Sequence, residues 1–328
     1  MSKVILHIGA HKTATTTIQN TFAANAAVLR DNGLIYPVFH RGTGHDGLVY
    51  SWRSMPKFYA LEGGGQVGLR WLAREFGAGP LPVFLSSEEF SRGDPNEACD
   101  FEEVRALLEG FAEVEVFLCL RPQWEFLQSA YLEISKLRQP PAPDQLAEMA
   151  IQTGMFAGLH ADDNRLLDRL ETAFRSEEIT LLTFEEAVGA PGGILGWMLA
   201  HLGLPLQAED LAPVDGGASN VSIGPLVGWA ANALSAPRIA RPQQQQMLRA
   251  SFEARFAGRR CTLFSEAEME RLCWHFDPLN ARVAARRQPY QPGFAIPPMR
   301  PPEGVLYRDD PAVQAWYAGA QPEQKAAG

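Results

Sequence analysis

The 328-residue chain is 46% hydrophobic and carries a formal net charge of -9, from 29 Lys and Arg against 38 Asp and Glu. A chain of this length buries a full core, and its acidic balance excludes a broad electrostatic footprint for nucleic acid or an anionic membrane, leaving room for a local basic pocket. Four cysteines, Cys99, Cys119, Cys261 and Cys273, form no CxxC pair and no cluster with His at metal-ligand spacing, which reads as reduced thiols in a cytoplasmic protein without a metal site.

The N-terminus passes from Met-Ser-Lys straight into an apolar run, without the basic and apolar regions of a signal peptide. The most apolar later stretch, 192–206, contains His201 and falls short of the ~20 residues that span a bilayer, so no transmembrane segment is expected. Residues 3–8 read as a strand, and 15–30 have helical spacing through Ile18, Phe22, Ala26 and Leu29. Residues 33–38, "GLIYPV", read as a second strand closed by Pro37. The stretch 39–80 is an irregular insertion with glycines at 42, 44, 47, 63, 64 and 65, and 67–76 has helical character inside it.

The segment "LPVFLSSEEF" is a buried strand that breaks at Ser86, 101–111 is helical, and "VEVFLCLR" is another buried strand. Pro122 then opens a helix at the favoured first position, which ends near Leu137 before the breaker "QPPAP". A helix at 166–174, the strand "EITLLTF" and a helix at 192–202 follow. Strands alternating with helices imply an α/β fold, a mainly parallel central sheet flanked by helices on both faces. Beyond Leu204 the pattern becomes helical without strands, at 227–234, 243–256 and 265–286. The expected organisation is one α/β domain over 1–300, with a helical part at 205–290 and an extended or disordered tail at 301–328.

The chemistry is concentrated in "LHIGAHKTATTTIQNTF", residues 6–22. A loop at the carboxyl end of a parallel strand, leading into a helix, offers an anion free backbone N–H groups and the positive end of the helix dipole. Lys12 adds a movable charge, and Thr13, Thr15, Thr16 and Thr17 add hydroxyls. A kinase-type P-loop needs a glycine directly before its lysine and a strand-end Asp for Mg²⁺. Here Lys12 follows Gly9 by three residues and the later strand ends in Arg121.

The loop resembles the 5'-phosphosulfate loop of sulfotransferases, whose pattern is Lys-Ser-Gly-Thr-Thr, and bacterial members commonly read "HIGxHKTGTT". Lys12, Thr13, Ala14, Thr15 and Thr16 fall on that pattern in order, with Ala14 in the place of the usual glycine. An alanine there carries strain if the position requires a positive φ. The family also places an Arg at a strand end with a Ser eight residues on, and often a Tyr two further, holding the 3'-phosphate of the cofactor. Arg121, Ser129 and Tyr131 match that spacing. Phe184 falls where the family has a tyrosine near the adenine, ahead of "MLAHLGLP".

The resemblance covers 3–204 in ordered pieces and implies a three-layer P-loop-like fold and the cofactor 3'-phosphoadenosine 5'-phosphosulfate (PAPS), with 3'-phosphoadenosine 5'-phosphate (PAP) as product. It implies sulfuryl transfer to a hydroxyl or amine acceptor, a small molecule, glycan or lipid, with Lys12 neutralising the leaving phosphate and no metal. Where cytosolic members carry a catalytic His, this chain offers Ser87, Glu88 and Glu89, and Glu88 is the expected base. His11, His40 and His45 are competing bases, whereas His7, His160, His201 and His275 are assigned no role. Trp52, Phe58, Tyr59 and Trp71 in the insertion are candidates for an acceptor platform. Two alternatives stand beside this reading: a small-molecule kinase using ATP-Mg²⁺, and a sulfotransferase-like protein that binds the nucleotide without catalysis.

Overall fold

The computed structural model describes residues 2–39, 42–93, 97–214 and 223–321. In chain order the elements are β1 (Lys3–His7), α1 (Thr15–Ala24), α2 (Ala26–Asp31), α3 (Gly65–Phe76), β2 (Val83–Ser86), α4 (Phe101–Leu107), β3 (Glu113–Leu120), α5 (Gln123–Ile134), α6 (Pro143–Thr153), β4 (Met155–Phe156) and β5 (Leu159–His160). There follow α7 (Asp163–Leu170), β6 (Ile179–Thr183), α8 (Phe184–Gly189), α9 (Gly193–His201), α10 (Pro225–Ser235), α11 (Pro242–Phe256), α12 (Glu266–Arg287) and α13 (Pro311–Ala320). The chain divides into two compact units, Met1–Arg121 with Ala157–Ser219 and Leu279–Ile296, and Pro122–Phe156 with Asn220–Pro278 and Pro297–Gly328.

The first unit is built on a four-stranded sheet in the order β2-β1-β3-β6, parallel at every pairing. Because successive side chains of a strand point to opposite faces, β3 feeds two cores at once. Val114, Val116, Leu118 and Leu120 join Val4, Leu6 and Leu85 in a cluster covered by α3, α4 and α7. Phe117 and Cys119 join Ile5 and Phe84 in another, covered by α1, α2 and α9. The result is the three-layer α/β arrangement expected from the alternation of strands and helices.

The segment 33–38 makes only an isolated parallel bridge, Ile35 to Val83, instead of a strand. Pro37 lacks the N–H that the next ladder bond would need, and Tyr36 turns its hydroxyl to the Thr43 carbonyl at 2.7 Å. At the free edge of β6, Gln291 accepts from the Leu181 N–H at 2.9 Å and donates to the Leu181 carbonyl at 3.0 Å.

Glu115, in the middle of β3, lies between Lys3 Nζ at 2.6 Å and His201 Nε2 at 2.8 Å. Burial alone would raise its pKa, yet hydrogen bonds from His201 and Lys3 outweigh that and hold the carboxyl at about 2 against an ordinary 4.5. A depressed carboxylate contributes stability that is full above its unfolded pKa and is lost as pH falls through the folded one. About 3 kcal/mol is therefore at stake between pH 5 and pH 2. Denaturant midpoints of the wild type and Glu115→Gln are expected to differ at pH 7 and to converge on acidification.

The second unit is helical. Trp229 meets Tyr317 at 4.5 Å between ring centroids, Phe252 meets Trp316 at 5.1 Å, and the Trp316 indole donates to Ser251 Oγ at 3.0 Å. The stretch 301–328, expected to be extended or disordered, thus contributes a packed helix: Asp310 accepts from the Ala312 N–H at 2.8 Å as its cap, and Pro311 takes the first position. The last residues, 322–328, lie outside the described ones. Pro122 precedes the first residue of α5 rather than opening it.

Candidate functional site

The carboxyl ends of β1, β2, β3 and β6 point the same way, so the segments that follow them meet at one edge of the sheet, where open α/β folds bind ligands. The β1–α1 loop is held to β3 by a continuation of the ladder: Ile8 N–H donates to the Phe117 carbonyl at 3.0 Å, Cys119 N–H to Gly9 at 2.6 Å and Ala10 N–H to Cys119 at 2.9 Å. Gly9 has φ 98°, and a Cβ there would stand 3.1 Å from the Glu88 Cβ, so glycine serves both the backbone and the close approach.

Two further residues of this loop are left-handed, Lys12 at φ 67° and Ala14 at φ 60°. Strained conformations in non-glycine residues collect where function over-determines the backbone. Ala14 is the N-cap of α1, has no side chain to accept from the first amides, and is followed by a first turn without an acidic residue. No side-chain cap and no carboxylate of the first turn is set against the amides of the helix start, a setting that suits an anion. Ala14→Gly is expected to raise stability by about 0.5–1 kcal/mol, read as a higher denaturant midpoint, since glycine adopts this φ without a Cβ clash.

The threonines divide. Thr13 is fully buried and its hydroxyl donates to the Ala10 carbonyl at 2.5 Å, which ties the loop to itself instead of presenting the oxygen outward. Thr15 is buried too, whereas Thr16 and Thr17 are exposed. Arg121, directly after β3, donates from Nη1 to the Lys12 carbonyl at 2.8 Å, and its guanidinium lies 4.9 Å from the Phe184 ring centroid. Lys12, Arg121 and Phe184 thus come together on the first unit. Ser129, half-buried, lies on α5 in the second unit, where Tyr131 is buried and its hydroxyl accepts from Asn232 Nδ2 at 3.3 Å.

Glu88 follows β2 in a 3-10 turn, Glu88–Ser91, capped by Ser87. Its Oε2 accepts from Gln19 Nε2 on α1 at 3.0 Å. Glu89 is neutralised between Arg53 Nε at 2.8 Å and Arg92 Nε at 2.9 Å. His11 is held neutral, because burial first and then the charges of Arg92, Arg53 and Lys12 push its pKa well below the ordinary value. Its ring bonds the Glu88 backbone, and its Nε2 is shielded with no hydrogen-bond partner.

His45 is excluded as a base. Its Nδ1 accepts from the Ser86 N–H at 2.9 Å, its Nε2 contacts the Pro37 carbonyl at 2.7 Å, and burial lowers its pKa to about 4. Both ring nitrogens are occupied in holding the insertion to the sheet. His40 lies outside the described residues. The four insertion aromatics do not form one platform: Trp52 donates to Glu103 Oε2 at 3.0 Å, Trp71 packs at 5.8 Å on Phe76 of its own helix, and Phe58 and Tyr59 pair edge to face at 5.3 Å.

One residue of the site gave no signal in the sequence. Asp46 opens a 3-10 turn, Asp46–Val49, and its Oδ1 accepts from Ser87 Oγ at 2.5 Å. Burial first, and then the charges of Glu88 and Glu89, outweigh that bond and push its carboxyl up to about 6.

No helix among the described residues is long and apolar enough to cross a membrane, and no group of His, Cys, Asp and Glu among them is arranged to hold a metal ion. Neither a protein-family model nor a curated protein sequence matches the chain. Among solved structures the chain is similar to a sulfotransferase from Alicyclobacillus acidocaldarius, at 12% identity over 86% of this chain and 94% of that one, with a TM-score of 0.45. It is also similar to the sulfotransferase domain from the curacin biosynthetic pathway, at 16% identity over 77% of this chain and 98% of that one, TM-score 0.39. A third such structure is the sulfotransferase domain from the Synechococcus PCC 7002 olefin synthase, at 11% identity over 77% of this chain and 94% of that one, TM-score 0.34.

Proposed function

We propose that the chain is a PAPS-dependent sulfotransferase acting on a hydroxyl or amine acceptor. One arrangement carries the reading: the Arg121 guanidinium bonded to the Lys12 carbonyl and resting on Phe184, beside the uncapped first turn of α1. It joins a guanidinium held in place, the lysine of the same loop, a helix N-terminus and an aromatic face, the set that a phosphorylated adenosine requires.

PAPS supplies the sulfuryl group and a phosphate leaving group. In this reading Lys12 and the amides of the α1 first turn neutralise the 5'-phosphate as it departs. Arg121 holds the 3'-phosphate, and Phe184 lies against the adenine. Thr16 and Thr17 add hydroxyl donors beside the loop, while Thr13 and Thr15 support it from within. Glu88 takes the proton as the acceptor oxygen or nitrogen forms its bond to sulfur. The bond from sulfur to the bridging oxygen breaks, and its electron pair stays with the phosphate. The whole of residues 1–300 acts as one sulfotransferase-like domain in this proposal.

Calorimetric and thermal-shift titration with PAP against ATP-Mg²⁺ tests the nucleotide, and a radiolabelled-sulfate screen over carbohydrate, lipid and phenol acceptors tests the transfer. PAP is expected to bind and to raise the melting temperature, with ATP-Mg²⁺ inert. A response to ATP-Mg²⁺ alone would favour a kinase, and PAP binding with no labelled acceptor would favour a binding protein without catalysis.

A further inference from the structure

The carboxylate assigned to proton transfer is held by a residue of α1. Gln19, in the second turn of that helix, is 6% exposed, and its Nε2 lies within reach of three acceptors. These are Glu88 Oε2 at 3.0 Å, Ser86 Oγ at 3.3 Å and the Ser86 carbonyl at 3.4 Å. An amide nitrogen carries two protons, so one is directed at Glu88 and the other is shared by the two Ser86 oxygens. Glu88 itself is only half-buried, so it is gripped from the interior and stays within reach of solvent.

The amide is fixed from two further segments. Ser86, the last residue of β2, is fully buried, and its hydroxyl lies 2.9 Å from His7 Nδ1. Its backbone is bonded on both sides to His45, by its N–H to the ring Nδ1 at 2.9 Å and by its carbonyl to the His45 N–H at 2.8 Å. Gly44 closes the other side: a Cβ there would stand 2.7 Å from both Cδ and Oε1 of Gln19, so only glycine lets the insertion lie against the amide. A carboxylate on a short turn has several side-chain torsions to settle, and a misplacement of about 1 Å costs a reacting group up to about 100-fold in rate. Gln19 removes that freedom. Thr15, at the start of α1, and Gln19 are also one helical turn apart, about 6 Å along the axis.

Resting on the reading of Glu88 as the base in sulfuryl transfer, we propose that Gln19 is a positioning residue for it. Its amide holds the Glu88 carboxylate in the orientation that takes the acceptor's proton, and ties that carboxylate to the helix whose start faces the leaving phosphate. In the step, the proton passes to Glu88 as the acceptor bonds to sulfur, and the bond from sulfur to the bridging oxygen breaks. Gln19 gains and loses no proton; it sets base and leaving group from one rigid turn.

The first readout needs no nucleotide. In spectra of protein labelled with nitrogen-15 at glutamine, the Gln19 side-chain protons are expected to exchange slowly and to be displaced by Glu88→Gln. A Gln19 amide with the signals of an exposed glutamine, or one indifferent to Glu88→Gln, would overturn the proposal. The second readout is a cycle of rates for release of radiolabelled sulfate from PAPS to water. Gln19→Met fills the same space without a donor, and is expected to lower kcat about 10- to 100-fold with KM for PAPS and Kd for PAP within about twofold of wild type. In the Glu88→Gln background the same change is expected to cost less than about twofold, because Gln19 acts through that carboxylate, whereas a merely structural loss adds in full. Gly44→Ala keeps the amide but crowds it aside, and is expected to reproduce the fall in kcat with a melting temperature within about 2 °C of wild type. Additive losses, or a wild-type kcat in both Gln19→Met and Gly44→Ala, would sink the idea. A wild-type rate in Glu88→Gln removes the base and the role of Gln19 together while PAP binding leaves the nucleotide reading standing; failure of PAP to bind the wild type overturns both.

Discussion

Lys12→Met is expected to lower sulfuryl transfer from PAPS by at least about 100-fold and to weaken PAP, while the melting temperature stays close to the wild type. The methionine keeps the stem and the left-handed backbone of Lys12, so it removes charge without repacking the loop. The loop itself is held by backbone bonds from Gly9 and Ala10 to β3 and by the Thr13 hydroxyl, none of which involves the Lys12 ammonium. A loss of rate with intact stability therefore isolates the charge. Arg121→Met should behave differently, because Arg121 also bonds the Lys12 carbonyl and covers Phe184. Its removal loosens the loop as well as the anion site, and both affinity and melting temperature are expected to fall. Steady-state rates with PAP affinities for the two variants separate the cases; equal rates in Lys12→Met and wild type would remove the loop from the mechanism.

Much of the first unit was legible because its signals are local. Continuous apolar runs such as 116–120 specify strands buried on both faces, and their alternation with helices specifies a parallel sheet. Lys12, Arg121 and Phe184 were legible as a set because each lies in the segment that follows a strand, so one topological rule brings all three to the same edge. The strain at Ala14 could be anticipated only conditionally, since its sign depends on a φ that the sequence does not state; at φ 60° the condition is met.

What stayed hidden depends on distant partners. Asp46 sits in a stretch with no periodicity, and its place is set by bonds from His45 to Ser86 and Pro37, which no local pattern announces. For the same reason His45 reads as a candidate base in the sequence and proves to be a structural strut. Three helices lie where a proline reads as a breaker or an aromatic as a strand end. Pro143 and Pro311 each occupy a first helical position, where the missing N–H costs nothing, and Thr183 caps α8 by accepting from the Glu186 N–H at 3.4 Å.

Arg287→Ala is expected to destabilise the first unit by about 3–5 kcal/mol, a fall of roughly 10 °C in melting temperature. Arg287 is fully buried. Its Nη2 donates to the Ser176 carbonyl at 2.8 Å and to the Ile179 carbonyl, and its guanidinium lies 5.2 Å from the Tyr290 ring centroid. Truncation leaves both carbonyls without that donor in a site water does not reach, and opens a cavity the length of the side chain. Arg287→Met should lose less, since it fills the space and forfeits only the bonds. The damage should also travel to a place Arg287 does not touch. Its Nε donates to Gln291 Oε1 at 3.3 Å, and Gln291 is the side chain that bonds both backbone groups of Leu181 at the edge of β6. Faster hydrogen exchange at the Leu181 amide in both variants is the specific mark of that coupling. A melting temperature within about 2 °C of the wild type for Arg287→Ala would mean that the buried guanidinium contributes little beyond the cost of its own desolvation, the other outcome that buried charges are known to give.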